Sequence, residues 1–217
     1  MTAIKKQTPK GQRKRAAILD ATLEIAVRDG LAGVSFGQLA KALGISKSGL
    51  FTHFATKDEL ELAAVEHAQH GFEAQVLGTG FMHTPEGLPR LWAFLEAWHA
   101  YARGRHAAGG CVFQTLIAEF HNRPGPVRDL LKRQIEGFGE VLRRLVQAAV
   151  DAGHLQADLD VVRLAWELQA LMAAANHGQQ LWRELELLAF SRRSLSDRLE
   201  AASTPAGRAL GLFTDQV

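Results

Sequence analysis

The amino-acid sequence predicts an all-α protein of about nine helices. Its 217 residues include a single Tyr, and no segment sustains the alternation of apolar and polar residues that marks a half-buried strand. Apolar residues recur instead at helical spacing, and all six prolines lie where that spacing is already interrupted. The apolar fraction of 47% and the charged fraction of 22% are ordinary for a globular protein.

Helix start and stop signals divide the N-terminal third into four helices. Gly30 tolerates a left-handed cap and ends the first of them. Ser35 is a predicted N-cap with Gln38 in the capping-box position, Gly44 ends that helix, and Ser46 caps the next one. The expected helices span 12–28, 36–43, 47–54 and 57–76.

Five more helices are expected in the remainder of the chain. The segment 78–87, GTGFMHTPEG, is predicted to be a loop, and Pro89 fits the first turn of the helix that follows. The sequence Arg123-Pro124-Gly125-Pro126 predicts a sharp break. The five helices are expected at 88–103, 111–121, 127–152, 161–180 and 184–202.

The charge is unevenly distributed along the chain. Of 25 Lys and Arg residues, ten lie in residues 1–57 against three acidic residues, although the formal net charge of the whole chain is only +2. A basic N-terminal segment followed by a mildly acidic remainder indicates that the first part meets a polyanion and the second does not.

Several classes of protein are excluded by composition. No run of about eighteen apolar residues exists, so no membrane span is expected, and the basic N-terminus lacks the apolar stretch of a secretory signal. The one cysteine, Cys111, cannot form an intrachain disulfide or a multi-cysteine zinc site. We therefore expect a cytoplasmic protein without membrane contact, catalytic residues, cofactor or metal.

The segment 35–57, SFGQLAKALGISKSGLFTHFATK, carries the functional signal. Two short helices, each with its own Ser cap and joined by a tight turn at Gly44, describe a helix-turn-helix. Leu39, Leu50 and Phe54 belong to the apolar set that fixes the angle between the helices. This arrangement leaves Lys47, Ser48, Gly49, Thr52 and His53 pointing away from the core.

Residues 15–62 resemble the DNA-binding head of the TetR family of bacterial one-component regulators. The matching residues, at the family's spacing, are Ala26, Gly30, Ser35, Leu39-Ala40, Gly44-Ile45-Ser46, Leu50-Phe51, His53-Phe54, Lys57 and Leu60. The family usually has Tyr where this chain has Phe51, so a phosphate contact through a tyrosine hydroxyl is missing here.

The resemblance implies a role for each residue of the DNA-binding site. Lys47, Ser48, Gly49 and Thr52 correspond to contacts with the groove and base edges, and His53 and Lys57 to phosphate clamps. Ser35, Ser46 and Phe51 complete the predicted set. The basic residues before and within the first helix, Lys5, Lys6, Lys10, Arg13, Lys14 and Arg15, are either a further phosphate-tracking arm or a solubilising tail.

The resemblance further implies a domain order and a dimer. We expect a flexible basic arm at 1–11, the helix-turn-helix domain at 12–57, a connecting helix at 58–77 and a regulatory domain at 78–217. That last domain would hold an effector pocket among its middle helices and would form a homodimer through its last two helices.

Two sets of residues are candidates for these roles. The effector pocket is predicted from inward aromatic and apolar stripes, although such stripes also form ordinary core: Trp92, Leu95, Trp98, Tyr101, Phe113, Leu116, Phe120, Phe138, Trp166 and Met172. The dimer interface is predicted from the last two helices, although the same faces could instead complete the core of one chain: Leu164, Leu168, Leu171, Ala175, Leu188, Arg192, Leu195 and Leu199.

The function that follows is a homodimeric, ligand-responsive transcriptional regulator. We expect a repressor that binds a pseudo-palindromic operator in double-stranded DNA and is released by a small-molecule effector. Two alternatives of other classes stay open: a small-molecule binding protein that has lost specific DNA binding, and an enzyme on a helical scaffold. A metal sensor built on scattered histidines and a redox switch at Cys111 are weaker alternatives.

Overall fold

The structure, a computed structural model, describes residues 9–106 and 109–213, and these form eleven α-helices. Their bounds are α1 Pro9–Asp29, α2 Phe36–Leu43, α3 Lys47–Phe51, α4 Lys57–Val76, α5 Thr79–His83, α6 Leu88–His106, α7 Val112–Phe120, α8 Pro126–Asp151, α9 Val161–Trp182, α10 Glu186–Ala202 and α11 Pro205–Arg208. The predicted all-α fold class is confirmed. Within these residues no strand occurs, only an isolated bridge between Leu155 and Ser203.

Several helix boundaries differ from the prediction by up to three residues, and two short helices were not expected. Helix α1 begins at Pro9, since proline suits the first position of a helix. Part of the predicted flexible arm 1–11 is therefore helical, and residues 1–8 lie outside the described residues. Helix α3 ends at Phe51 rather than at residue 54. The predicted loop contains α5, where Phe81 packs on Phe94 with ring centroids 6.1 Å apart. Helix α11 follows a Thr204 cap and was not predicted.

The described residues divide into two compact units. The head unit comprises residues 9–70 and 112–131, and the body unit comprises residues 71–111 and 132–213, apart from 107 and 108. The chain passes from one to the other within α4, between Cys111 and Val112, and within α8. The predicted regulatory domain at 78–217 therefore differs from the body unit, because α7 packs with the head.

The head unit is built around one apolar core. Leu39, Leu50 and Phe54 are fully buried, and α1 adds Ile18 and Ala26 to the same cluster. Burying a side chain of the size of Leu or Phe contributes about 1.5–3 kcal/mol. Helix α7 joins this core because its apolar face includes the fully buried Leu116.

The body unit is held together by α9 and α10. Leu164 and Leu168 of α9, together with Leu188 and Leu195 of α10, are buried where the two helices pack. An ion pair between Arg192 of α10 and Glu96 of α6, 2.6 Å from Nε to Oε1, adds a polar contact at the edge of the packed helices. Among the residues described, no helix is long and apolar enough to cross a membrane.

Ser35 caps α2 through a reciprocal pair of hydrogen bonds with Gln38. Ser35 Oγ accepts the Gln38 N–H at 3.2 Å, and Gln38 Oε1 accepts the Ser35 N–H at 2.9 Å. Ser35→Ala should lower the free energy of unfolding by about 1 kcal/mol in urea denaturation, because an N–H of the first turn loses its acceptor. Ser194→Ala, at an exposed position within α10 that caps no helix, should change it by less than about 0.5 kcal/mol. Equal effects of the two variants would contradict the capping role.

Candidate nucleic-acid interface

The turn between α2 and α3 places one surface of α3 toward solvent. Gly44 adopts φ +63°, in the left-handed region, and its N–H bonds to the Ala40 carbonyl. Ser46 Oγ then accepts the Gly49 N–H at 3.1 Å, which caps α3. A five-residue helix has little intrinsic stability, so this cap and the burial of Leu50 hold it in place.

The exposed surface of α3 carries most of the predicted DNA-contacting residues. Lys47, Ser48 and Thr52 are exposed, and Gly49 is half-buried. The Thr52 hydroxyl donates to the Gly49 carbonyl at 2.7 Å, which fixes its rotamer and leaves its oxygen lone pairs and methyl group outward. The structure brings these four residues together with exposed Ser35 and Ser46, the two caps. The result is a small, polar and sterically open helix face.

Phe51 lies at the C-terminal end of α3 with its ring 51% exposed. It stacks on Phe36, the first residue of α2, with ring centroids 4.6 Å apart and an interplanar angle of 22°. This offset pairing fixes the orientation of an apolar ring on the predicted interface. Sequence reasoning identified Phe51 and missed its partner.

His53 and Lys57 are less available than the other predicted residues. His53 is half-buried, and its Nδ1 atom is enclosed without a hydrogen-bond partner among the described residues. The Lys57 ammonium donates to the Ala32 carbonyl at 2.8 Å and lies 3.6 Å from Glu61 Oε1. The amine predicted to clamp a phosphate is thus already engaged inside the head unit.

Burial also affects the carboxyl group beside that lysine. It raises the pKa of Glu61, and the nearby charge of Lys57 opposes the rise. The Glu61 side chain is 14% exposed and the Lys57 side chain 40% exposed, so the pair lies at the edge of the head unit's core.

Arg15 has a structural role that the sequence did not reveal. Its guanidinium lies 4.1 Å from the centroid of the Phe54 ring, and Nη1 donates to the His53 carbonyl at 2.7 Å. Arg15 thereby joins α1 to the residues that follow α3. It is not a free member of the predicted phosphate-tracking arm.

The predicted effector-pocket residues do not share one surface. Trp92, Leu95, Trp98, Tyr101 and Met172 are buried in the body unit, and Phe138 is half-buried there. Phe113, Leu116 and Phe120 belong instead to the head unit's core, because α7 turns its apolar face to α1. Contact of these three residues with an effector stays a prediction.

Trp166, another residue predicted for the pocket, lies on the exposed side of α9. Its side chain is 68% exposed, whereas Leu164 and Leu168 on either side are fully buried. Side chains two positions apart on a helix point about 200° apart. A residue two positions from an inward Leu, such as Trp166, therefore faces outward.

An aromatic cluster lies inside the body unit near the remaining pocket candidates. Phe72 packs on Tyr101 at 5.0 Å and on Phe138 at 5.9 Å between centroids, and Phe94 packs on Phe138 at 5.6 Å. Burial raises the pKa of the Tyr101 hydroxyl, so it stays protonated. Sequence reasoning missed Phe72, which lies at the end of a helix assigned to the connection.

Most of the predicted dimer residues are buried within one chain. Leu164, Leu168, Ala175, Leu188, Leu195 and Leu199 are all less than 9% exposed. Leu171 and Arg192 are half-buried, and Arg192 is paired with Glu96. These residues complete the core of the body unit, which is the alternative that the sequence left open. The outward residues of α9 and α10 include Val162 (66% exposed), Trp166 and Phe190 (46% exposed).

The described residues hold no group of three or more His, Cys, Asp or Glu side chains that could bind a metal ion. His67, one of the scattered histidines, instead lies 2.7 Å from Asp20 Oδ1. Cys111 is buried.

Comparison with known proteins gives a consistent result over both units. The profile described as "Bacterial regulatory proteins, tetR family" matches residues 18–64, and "Tetracyclin repressor-like, C-terminal domain" matches residues 87–195. The HTH-type transcriptional regulator SrpR of Pseudomonas putida is 24% identical over 163 residues, covering 72% of this chain and 70% of SrpR.

Solved structures agree on the fold. A TetR transcriptional regulator from Chloroflexus aurantiacus superposes with a TM-score of 0.82 at 23% identity, over 90% of this chain and 98% of that one. A TetR-family regulator from Streptomyces coelicolor gives a TM-score of 0.75 at 21% identity, over 88% and 97% of the two chains. The chain belongs to the TetR family of bacterial transcriptional regulators, whose members bind DNA and are not enzymes.

Proposed function

We propose that this regulator is a homodimeric repressor that binds a pseudo-palindromic operator in double-stranded DNA and is released by a small apolar or amphipathic effector. It would act in the cytoplasm, where its operator lies. The observation that carries the proposal is the exposed, small and polar face of α3, comprising Lys47, Ser48, Gly49 and Thr52, above a fully buried Leu50.

Such a face suits the major groove of B-DNA. Its side chains are short at Ser48 and Gly49, so the helix backbone can approach the base edges closely. Lys47 can donate to guanine, and the Thr52 methyl group can contact a thymine methyl. The excess of basic residues in the first 57 positions supports a polyanionic partner.

A homodimer would bind the two half-sites of a palindromic operator. On α9, Val162, Trp166, Ala173 and His177 share the exposed side of the helix. Exposed large apolar side chains beside an exposed Ala favour close packing with another helix. A second copy of the chain offers the same face, so the contact would be isologous and would give the two-fold symmetry that a palindrome requires.

The effector is proposed to bind the body unit near the aromatic cluster of Phe72, Phe94, Tyr101 and Phe138. Aromatic walls with few polar groups are typical of small-molecule sites. The effector must bind one arrangement of the regulator better than the other, because equal affinity for both would shift nothing. Helices α4 and α8 each contribute residues to both units and are two of the three covalent routes for such a change; the third lies between Cys111 and Val112.

Titration with DNA tests the proposal directly. An operator selected in vitro from random duplexes should be bound specifically, and the affinity should fall steeply with salt as counterions are released. Thr52→Ser, which keeps the hydroxyl bonded to the Gly49 carbonyl and removes the methyl group, should weaken the preference for thymine at one position of each half-site. Arg163→Gln, an exposed change on α9, serves as the control. Absence of any selected sequence would favour a small-molecule binding protein without specific DNA binding.

Phe51 allows a second test of the same interface. Phe51→Tyr should raise the affinity for all duplexes alike, by about two- to tenfold, because a hydroxyl at the exposed ring edge can donate to a phosphate. The thermal midpoint should not change, since the stacking on Phe36 is kept. A change in base preference, or no change in affinity, would place the ring away from the DNA backbone.

The dimer is tested by placing charge on the exposed side of α9. Ala173→Arg and Trp166→Glu should convert a species of twice 23.7 kDa into one of 23.7 kDa in light scattering, because buried unpaired charges oppose association. Ala74→Arg, an equally exposed change on α4, should leave the mass unaltered. Dimers that persist in both α9 variants would mean that the chains meet through a different surface.

A further inference from the structure

The turn between α1 and α2 leads directly into the helix-turn-helix. Gly30, at φ +71°, ends α1 with its N–H bonded to the Ala26 carbonyl at 3.0 Å. Leu31 and Val34 are buried on either side of the exposed Ala32. Three residues beyond Ala32, Ser35 caps α2, so the position of this turn sets where α2 begins.

Glu119 of α7 holds the turn from one side. Its Oε2 accepts the Leu31 N–H at 2.7 Å and its Oε1 accepts the Ala32 N–H at 2.8 Å. The side chain is only 10% exposed, so this charged acceptor is largely withdrawn from water, and besides the two backbone donors it contacts Arg123 Nη1, 3.3 Å from Oε1. A Cβ at Gly30 would lie 2.6 Å from Oε2, so glycine leaves the space that the carboxylate occupies.

Lys57 of α4 holds the same turn through a different group. Its Nζ donates to the Ala32 carbonyl at 2.8 Å and is 3.6 Å from Glu61 Oε1. Ala32 is therefore fixed by two oppositely charged side chains, its N–H by the carboxylate of α7 and its carbonyl by the ammonium of α4. Both lie far from Ala32 in sequence, 87 and 25 positions away.

We propose that Glu119 and Lys57 form a two-sided latch on the α1–α2 turn and are positioning residues for DNA recognition, with Lys57 acting through Ala32 and not through a phosphate. The inference rests on the proposed function, because its consequence is measured as operator binding. Helix α7 follows directly on Cys111, where the chain leaves the body unit, so a displacement of α7 would act on the turn through Glu119.

The experiment uses the full-length protein with Lys57→Met, Glu119→Gln and the double variant. Each single variant should lower the affinity for the selected operator about tenfold. The double variant should lose little more than either single variant, since the two side chains act on one turn. The salt dependence should keep its wild-type slope in Lys57→Met, whereas Lys47→Met, the exposed lysine of α3, should reduce the slope by about one.

Amide hydrogen exchange gives a readout that does not depend on DNA. The Leu31 and Ala32 amides should be protected in the wild type and should exchange faster in Glu119→Gln. Glu66→Gln is the matched control, because it makes the same chemical change at an exposed position of α4 in the head unit. This control should keep both amides protected and the operator affinity unchanged.

Several results would overturn the latch. A salt slope reduced by about one in Lys57→Met, with losses that add to those of Glu119→Gln, would make Lys57 a phosphate contact. Normal operator binding by both folded variants would remove the positioning role. If either variant fails to fold, Gly30→Ala is used in its place. The Cβ added at residue 30 displaces the Glu119 carboxylate while both charged side chains remain. Unchanged operator affinity in Gly30→Ala would also refute the latch.

Failure of the proposed function would be recognised separately. A wild-type protein that binds no operator refutes the DNA-binding role, and the exchange data then decide the latch alone. The latch is refuted if the Leu31 and Ala32 amides exchange equally fast in the wild type and in Glu119→Gln. Slower exchange of these amides in the wild type would support the two-sided contact.

Discussion

The buried contact between α2 and α3 is the constraint on which the interface depends. Leu39, Leu50 and Phe54 are buried together, and this packing determines which side of the five-residue helix α3 faces outward. Because α3 is too short to be stable alone, its orientation is a consequence of that core and of the Ser46 cap. The same core accepts Arg15 above the Phe54 ring, so the first helix and the end of the motif are held as one body.

Polar contacts fix the position of the α1–α2 turn more precisely than the apolar core alone does. A buried core tolerates small rotations of its helices, whereas a backbone group bonded to a charged side chain fixes a distance. The carboxylate of Glu119 and the ammonium of Lys57 do this for Ala32, at the start of the segment that carries the DNA-facing residues. The low exposure of Glu119 strengthens these bonds, since water competes poorly for either partner. Helix α7 is therefore a structural part of the head unit, and the chain returns to the body unit only within α8.

The body unit shows how one helix can serve two purposes. The inward residues of α9 close the core against α10, and its outward residues leave Val162 and Trp166 uncovered. An apolar stripe in the sequence of such a helix identifies a buried face without saying whether the same chain or a second one covers it. In α9, Leu164 and Leu168 are covered by the chain itself. The exposed face, with its Ala and Trp, remains for the proposed partner copy.

The sequence alone determined the helical class, most helix positions, the helix-turn-helix and its capping serines, because these follow from local spacing and from caps whose partners lie within a few residues. The exposure of Lys47, Ser48 and Thr52 was predictable for the same reason. Only the tertiary structure decided that Phe113, Leu116 and Phe120 serve the head, that Trp166 faces solvent, and that Lys57 is engaged by Ala32. Those outcomes depend on groups 25 to 88 positions apart in the chain. A periodic pattern fixes the face of a helix but carries no information about which distant residue will meet it.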